Sequence, residues 1–415
     1  MMKLSVDKNR LQKEIDELAL ITEGEPPVVT RVLFSEADLR GREFVKGLCR
    51  EAGLTLCTDA VGNIFTRWEG VNGKLPAVAT GSHIDAIPNA GKFDGVVGVL
   101  GAIEAIRALK KSGYHPQRSI ELIVFTAEEP TRFGIGCIGS RLLSGVLGPQ
   151  LAAIVHDRDG KTLDEWRQGA GCVGSLESVR LAKDCYAAFV ELHIEQGPIL
   201  EREGTDIGIV ENIAAPSTLR MQLTGVGGHA GAVLMPERHD AGLAGAEISL
   251  AVERAVTSTG NADTVGTTGI FRIEPGAVNS VPCRAWLEID VRDTKVETRD
   301  AALASIETAA AEICQRRGVA LQVERLNVDP PAICDASIVE TVSAICRQSG
   351  VSHKKMISRA YHDTLFMVQI CPSTMIFIPC RGGVSHRPDE FSSPEQIETG
   401  VQVLALTLAA LAGKV

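Results

Sequence analysis

The segment AVATGSHIDAIPNAGKFDGVVGVLGAIEAIRALKKSG, residues 77–113, decides the fold. It opens on a short apolar run, residues 77–81, that reads as a buried strand ending at Gly81. A polar cluster follows, Gly81-Ser82-His83-Ile84-Asp85, and Lys92-Phe93-Asp94-Gly95 stands at the mouth of the next element. From residue 95 to 111, Val96, Val99, Leu100, Ile103, Ile106 and Leu109 recur close to the helical period, and Gly113 stops the pattern. Strand, polar loop and helix form the unit of a mostly parallel sheet covered by helices, and residues 120–126 and 375–379 repeat the strand texture. In such sheets the chemistry gathers in loops beyond the carboxyl ends of the strands.

A different texture begins near Pro216. Residues 218–224 alternate apolar and polar positions as a half-exposed strand does. Beyond the Gly-rich turn 225–231, residues 240–256 read as a helix, 265–273 and 284–291 as strands, 301–317 as a helix and 319–325 as a strand. That order is an open-faced sandwich of ferredoxin-like kind. Asp329-Pro330-Pro331 reads as the return crossing. The expected fold class is therefore α/β: a discontinuous catalytic domain, residues 1–214 and 330–415, on a mixed, mostly parallel sheet, with residues 215–329 inserted.

Composition narrows the function. The 415 residues carry 42 Lys plus Arg against 52 Asp plus Glu, a formal charge of −10, which argues against nucleic acid or an anionic membrane as the main partner. With 45% hydrophobic and 23% charged residues the chain is globular rather than disordered or fibrous. Eleven cysteines with no C-x-x-C pair indicate neither a zinc ribbon nor a disulfide framework, and a reducing cytoplasm is the expected compartment. The opening MMKLSVDKNRLQKEIDEL has charges every few residues and reads as an amphipathic helix, not a secretory signal. No stretch approaches the roughly 20 apolar residues that a membrane span needs.

Four further groups stand beyond strand-like runs. His83 and Asp94 suit a metal ion, with Asp85 placed to hold the ring nitrogen that faces away from it. As a pair they fit equally well a strand-end imidazole and a helix-capping aspartate. Glu128-Glu129 puts two carboxylates side by side where solvation is reduced, and they repel unless cations compensate. Alone, that pair reads as a solvated acidic loop before Pro130. His193 in VELHIEQGP and His386 in GGVSH complete a set large enough for two metals if Asp94 bridges them. Each histidine taken singly is more often a hydrogen-bonded imidazole; the joint pattern is not.

The stretches GSHIDAIPNAGKFDGVVGVLGAIEAI, FTAEEPTRFG, ELHIEQGPIL, GGHAGAVLMPERHDA and GGVSHRPDE, in this order, resemble the two-metal amidohydrolases. That family includes the N-carbamoyl-L-amino acid hydrolases, β-ureidopropionase and the allantoate and ureidoglycolate amidohydrolases, and is related to the aminoacylase and carboxypeptidase metallopeptidases. The resemblance runs from about residue 11 to the C-terminus. Carbamoylases and allantoate enzymes read I-A-G-Q, S-G-A-G-H-D and H-A-G-T-T-P-M, where this chain has Ile213-Ala214-Ala215-Pro216, Ser358-Arg359-Ala360-Tyr361-His362-Asp363 and, from His229, HAGAVLMP. In all three the chain resembles the ureidoglycolate branch. The plant members of that branch carry a secretory leader; none is expected here.

The resemblance implies His83, Asp94 and His193 on one metal and Asp94, Glu129 and His386 on the other, with manganese favoured over zinc or cobalt. Two such cations, roughly 3.5 to 4 Å apart, acidify a shared water. Glu128 would then be free to take the proton and return it to the departing amine. His229 would donate to the developing oxyanion. Arg292 and Asn279 would clamp the substrate carboxylate, and a guanidinium does so with two parallel bonds. An exposed sheet-face arginine and a turn asparagine are the plain alternatives. Gln196, Tyr361 and His362 match positions around the ureido group. Tyr361, where carbamoylases have Gly, would shrink the pocket for a short hydroxylated substrate, unless it packs elsewhere. The insert is implied to be a dimerisation and lid domain, so a homodimer is expected. The implied reaction is metal-dependent hydrolysis of the ureido group of ureidoglycolate to glyoxylate, ammonia and carbon dioxide in purine ureide catabolism. Allantoate or an N-carbamoyl-L-amino acid as substrate, or an inactive binding homologue, are the competing readings.

Overall fold

The computed structural model describes residues 4–413. It is a mixed α/β protein whose chain divides into two compact units. One takes the chain up to Glu211, then Ile333–Met356, then everything from His362; the other is Asn212–Ala332 with Ile357–Tyr361. The short return 357–361, which the sequence reading left with the catalytic part, belongs with the second unit by its bonds: Ser358 O accepts from the Ala214 amide, and the Tyr361 hydroxyl donates to Asp329 Oδ2 at 3.0 Å.

The first unit is organised by a nine-stranded sheet among the described residues. At its centre Ser373–Ile378, Tyr186–Ile194, Ala77–His83 and Ile120–Phe125 run parallel, in that spatial order. Ile64–Trp68 and Thr55–Thr58 continue one side antiparallel, and Ile207–Ile213 pairs antiparallel on the other. Every residue of Ala77–His83, Ile120–Phe125 and Ser373–Ile378 is buried, as expected of strands covered on both faces. Helix Val96–Lys111 buries thirteen of its sixteen residues because it lies between the sheet and helix Pro394–Ala412. The latter starts on a reciprocal cap, Ser393 with Gln396, behind Pro394. Each Val, Leu or Ile so buried contributes on the order of 1.5–3 kcal/mol by its removal from water.

The second unit has four antiparallel strands in the order Val265–Glu274, Arg284–Asp293, Ala215–Thr224, Ala320–Val328. Alternation decides its faces. Leu219, Met221, Leu223, Ala285, Leu287, Ile289 and Val291 are buried against helices Ala241–Thr257 and Val296–Arg317, while Arg220, Gln222, Trp286 and Glu288 point the other way. Asp240 caps the first of these helices by accepting from the Leu243 amide at 3.0 Å. Both helices and all four strands appear in the order expected from the sequence.

Candidate active site

The parallel strands end together, and their carboxyl ends carry the polar residues. His83 is the last residue of its strand, His193 the last but one of its own, Glu128 and Glu129 follow Ile120–Phe125, and His386 lies in the loop after Ser373–Ile378. Asp94 precedes helix Val96–Lys111. Gly95 between them has φ 66°, and a Cβ there would sit 2.5 Å from the His83 ring. Only glycine lets the helix start so close to the imidazole.

Asp94 is the centre of the arrangement. Its Oδ1 lies 3.2 Å from His193 Nε2 and 3.5 Å from His83 Nε2, and its Oδ2 lies 3.2 Å from His386 Nε2. His386 Nε2 is also 3.4 Å from Glu129 Oε1. Two groups of three candidate ligands, His83–Asp94–His193 and Asp94–Glu129–His386, therefore share one carboxylate, each with its ligand atoms within 4.8 Å of one another. Ring orientation is set from behind. His193 Nδ1–H donates to Ile194 O at 2.9 Å, which leaves the Nε2 lone pair facing the cluster, where it accepts the Gly95 amide at 3.1 Å. His83 Nδ1 is held at 3.0 Å by the backbone carbonyl of Asp85, with the Asp85 carboxylate farther off at 3.6 Å. Asp85 thus supports His83 mainly through its main chain. Its carboxylate accepts the Glu128 amide at 3.3 Å and the Glu129 amide at 3.0 Å, tying the two strand ends together.

Electrostatically the cluster calls for cations. Burial works against the charge of Asp94, yet the neighbouring imidazoles of His193, His386 and His83 hold it well below the usual carboxylate range. Burial pushes Glu129 up to about 7, helped by the Asp94 charge. Burial also pushes Glu128 well above the ordinary range, against the opposing charge of His83 and with Glu129 adding to the rise. His386 is raised to about 9, chiefly by its hydrogen bond to Asp94. A pair of divalent cations fits this donor set: imidazole nitrogens and carboxylate oxygens converge on two places, with the Asp94 carboxylate common to both, Oδ1 toward His83 and His193 and Oδ2 toward His386. Glu128 has Oε2 3.8 Å from His83 Nε2, belongs to neither group of three, and accepts a weak bond from the Cys137 thiol at 3.6 Å.

The remaining residues divide between the units. Gln196, at φ 55°, donates to Asp94 Oδ2 at 2.8 Å and to Ser385 Oγ at 3.2 Å, and its Oε1 is buried with no partner. His362 is buried with its ring 4.5 Å from that of His193. In the second unit, His229 and Asn279 are exposed and adjacent: His229 pairs with Ser280 across a two-stranded ladder, and the Ala230 amide donates to Asn279 O. His229 Nδ1 accepts the Gly231 amide at 3.1 Å, which leaves the proton on Nε2. Arg292 is half-buried and donates to Asp290 at 2.8 Å and 3.4 Å. The Tyr361 hydroxyl is engaged by Asp329, so part of its polarity serves the second unit.

Sequence reading missed a buried network behind His193. Glu191 accepts from Ser82 Oγ at 2.8 Å and from Thr364 Oγ1 at 2.5 Å, and Asp363 accepts from Ser140 Oγ at 2.5 Å. Glu191, His193 and His362 form a third group of candidate ligands. The signal was present in V-E-L-H-I, since residues two apart on a strand share a face.

Candidate metal ligands gathered at the carboxyl ends of a mixed sheet are the arrangement a metal-dependent hydrolase requires. Residues 79–410 match peptidase family M20/M25/M40, and the chain belongs to that family, as a hydrolase of C–N bonds. It is 54% identical to the ureidoglycolate hydrolase of Arabidopsis thaliana, over 98% of this chain and 87% of that one. It is 52% identical to the ureidoglycolate hydrolase of Oryza sativa subsp. japonica, over 98% and 85%. Among solved structures, AtUAH in complex with glyoxylate superposes with a TM-score of 0.93 at 53% identity, covering 99% of this chain and 98% of that one, and AtUAH in complex with (S)-hydroxyglycine does the same.

Proposed function

We propose that the protein hydrolyses the ureido group of ureidoglycolate, with two divalent cations, manganese in first place, held by His83, Asp94 and His193 and by Asp94, Glu129 and His386. The observation that carries the chemistry is the single carboxylate of Asp94 shared between two ligand groups. Sequence identity across nearly the whole chain with the plant ureidoglycolate hydrolases supports the substrate.

When bound, such a pair acidifies water and polarises a carbonyl. Glu128, kept basic by burial, takes the proton of the attacking water and delivers it to the departing nitrogen. Water oxygen bonds to the ureido carbon, the terminal C–N bond breaks, and ammonia leaves. Loss of carbon dioxide from the resulting carbamate gives hydroxyglycine, and elimination of its amine gives glyoxylate. The two AtUAH complexes hold compounds that correspond to these last two species. His229, protonated on Nε2, donates to the oxygen on which charge develops. Arg292 and Asn279 receive the carboxylate, and the unpartnered Oε1 of Gln196 accepts a ureido N–H. Tyr361 and His362 bound the polar end of the substrate. The domain role of residues 215–329 is that of a lid and dimerisation module, and the protein works as a cytoplasmic homodimer. Edge strand Val265–Glu274 supports this, with Phe271 42% and Ile273 45% exposed. No helix among the described residues is long and apolar enough to cross a membrane.

The test is ammonia release by manganese-loaded protein from ureidoglycolate, allantoate and an N-carbamoyl-L-amino acid, with a chelator-stripped control. Ureidoglycolate should lead by at least tenfold in kcat/KM, about 1.4 kcal/mol of transition-state discrimination. A lead for either competitor would sink the substrate and leave the metal chemistry standing. Light scattering on the same preparation should give about twice the 44.2 kDa chain mass; a fully active monomer contradicts the homodimer.

A further inference from the structure

Two loops far apart in the chain supply Asp94 and His386, and Glu390 joins them. Its Oε1 accepts the Phe93 amide at 2.9 Å and the Asp94 amide at 3.0 Å, and its Oε2 accepts from Ser385 Oγ at 2.9 Å. The residue is 4% exposed, so these bonds form where water does not compete. Space is reserved for it. A Cβ at Gly91 would stand 2.5 Å from Glu390 Cβ and 2.7 Å from its Oε1, so the turn before Asp94 passes too close for any side chain. The packing is continuous next door, where Phe391 meets Phe93 edge to face with ring centroids 6.0 Å apart. Ser385 carries the connection onward: its hydroxyl is 2.9 Å from Asp94 Oδ2 as well, and it accepts from Gln196 Nε2.

We propose that Glu390 is a positioning residue of the cation pair, setting the shared carboxylate of Asp94 and the His386 loop in one register through its three accepted hydrogen bonds. The inference rests on the reading of Asp94 and His386 as ligands given above. Glu390 touches neither the cations nor the substrate. Its effect is on where the donors stand before a cation arrives, and partners of this kind commonly weigh about 10- to 100-fold on metal affinity.

The experiment is equilibrium dialysis of the full-length protein against manganese(II), with elemental analysis of the bound metal and a thermal melt of each variant. Wild type should bind two manganese ions per chain. Glu390→Gln should bind like wild type, because its amide oxygen still accepts both amides while its NH2 donates to Ser385 Oγ. Glu390→Ala should bind one of the two ions about 10- to 100-fold more weakly while keeping its fold. If Glu390→Ala does not fold, Glu390→Asp takes its place, one methylene too short to reach both loops, and should weaken binding where Gln does not. Wild-type affinity in the Ala or Asp variant overturns the inference, as does equal weakening by Gln. A wild type that binds no manganese overturns the ligand reading itself, which is a separate outcome.

Discussion

The histidine and carboxylate cluster of the first unit and the antiparallel sheet of the second hold their polar side chains by opposite means. Asp94 is surrounded by three imidazoles and the Ser385 hydroxyl and accepts from the Gln196 carboxamide, and its neighbours Gln196 and His386 take left-handed backbone at φ 55° and 60°. Non-glycine residues keep that conformation only when surrounding bonds over-determine it. His229 and Asn279 are instead exposed, on a two-residue ladder and a turn, and Arg292 is held by Asp290 on its own strand and by the Arg359 carbonyl. The contrast follows from charge. Closely spaced buried carboxylates repel and must be locked in place before a cation arrives, whereas a solvated imidazole or guanidinium costs little to reorient when an anion appears.

The largest expected effect breaks the first region without dismantling it. Glu128→Gln should lower kcat by about 10²–10⁴ while two manganese ions stay bound, because it removes the proton carrier and no ligand. An activity loss that tracks metal loss would instead make Glu128 a ligand. Arg292→Lys should act on the second region, and differently. Lys cannot make two parallel bonds to a carboxylate, so KM for ureidoglycolate should rise about tenfold with kcat nearly kept. An unchanged KM would return Arg292 to its plain role as the partner of Asp290.

The smallest effect sharpens the electrostatic side of the comparison. Without cations Glu129 and Glu390 are raised to about 7, Asp363 to about 8 and His386 to about 9, in each carboxylate chiefly by burial and in His386 by its bond to Asp94. These groups bind protons in the folded chain that the unfolded chain has released, so the stability present at low pH is lost from each ordinary value up to the raised one: from 4.5 to about 7 for Glu129 and Glu390, from 3.8 to about 8 for Asp363 and from 6.5 to about 9 for His386. The Tm of chelator-stripped protein should therefore fall between pH 6 and 9, and manganese should raise Tm most at the upper end. A stripped protein whose Tm is level or rising over that range would show the cluster to be less strained than its geometry implies.

Legibility in the sequence was uneven for a physical reason. Strand ends, helix periods and caps are local, so residues 77–113 revealed a strand, a polar loop and a helix that the structure has as Ala77–His83 and Val96–Lys111. The flanking antiparallel strands Thr55–Thr58 and Ile64–Trp68 are short and weakly patterned and went unread. Within the site, His83, Asp94, Glu128, Glu129, His193 and His386 were legible because each follows a strand-like run or opens a helix. Glu191 and Asp363 were not, since both look like ordinary charges until burial and their partners Ser82, Thr364 and Ser140 are seen. Asp85 was legible as a partner of His83, but only folding showed its carboxylate turned to the Glu128 and Glu129 amides.

The sequence by itself therefore determined the alternation of elements, the family and the residue types able to bind metal, because periodicity and motif spacing are properties of neighbouring positions. Tertiary structure alone decided that Glu390 clamps two loops about 290 residues apart, and that Tyr361 answers to Asp329. Hydrogen bonds between distant segments depend on where the chain closes on itself, and no local pattern records that.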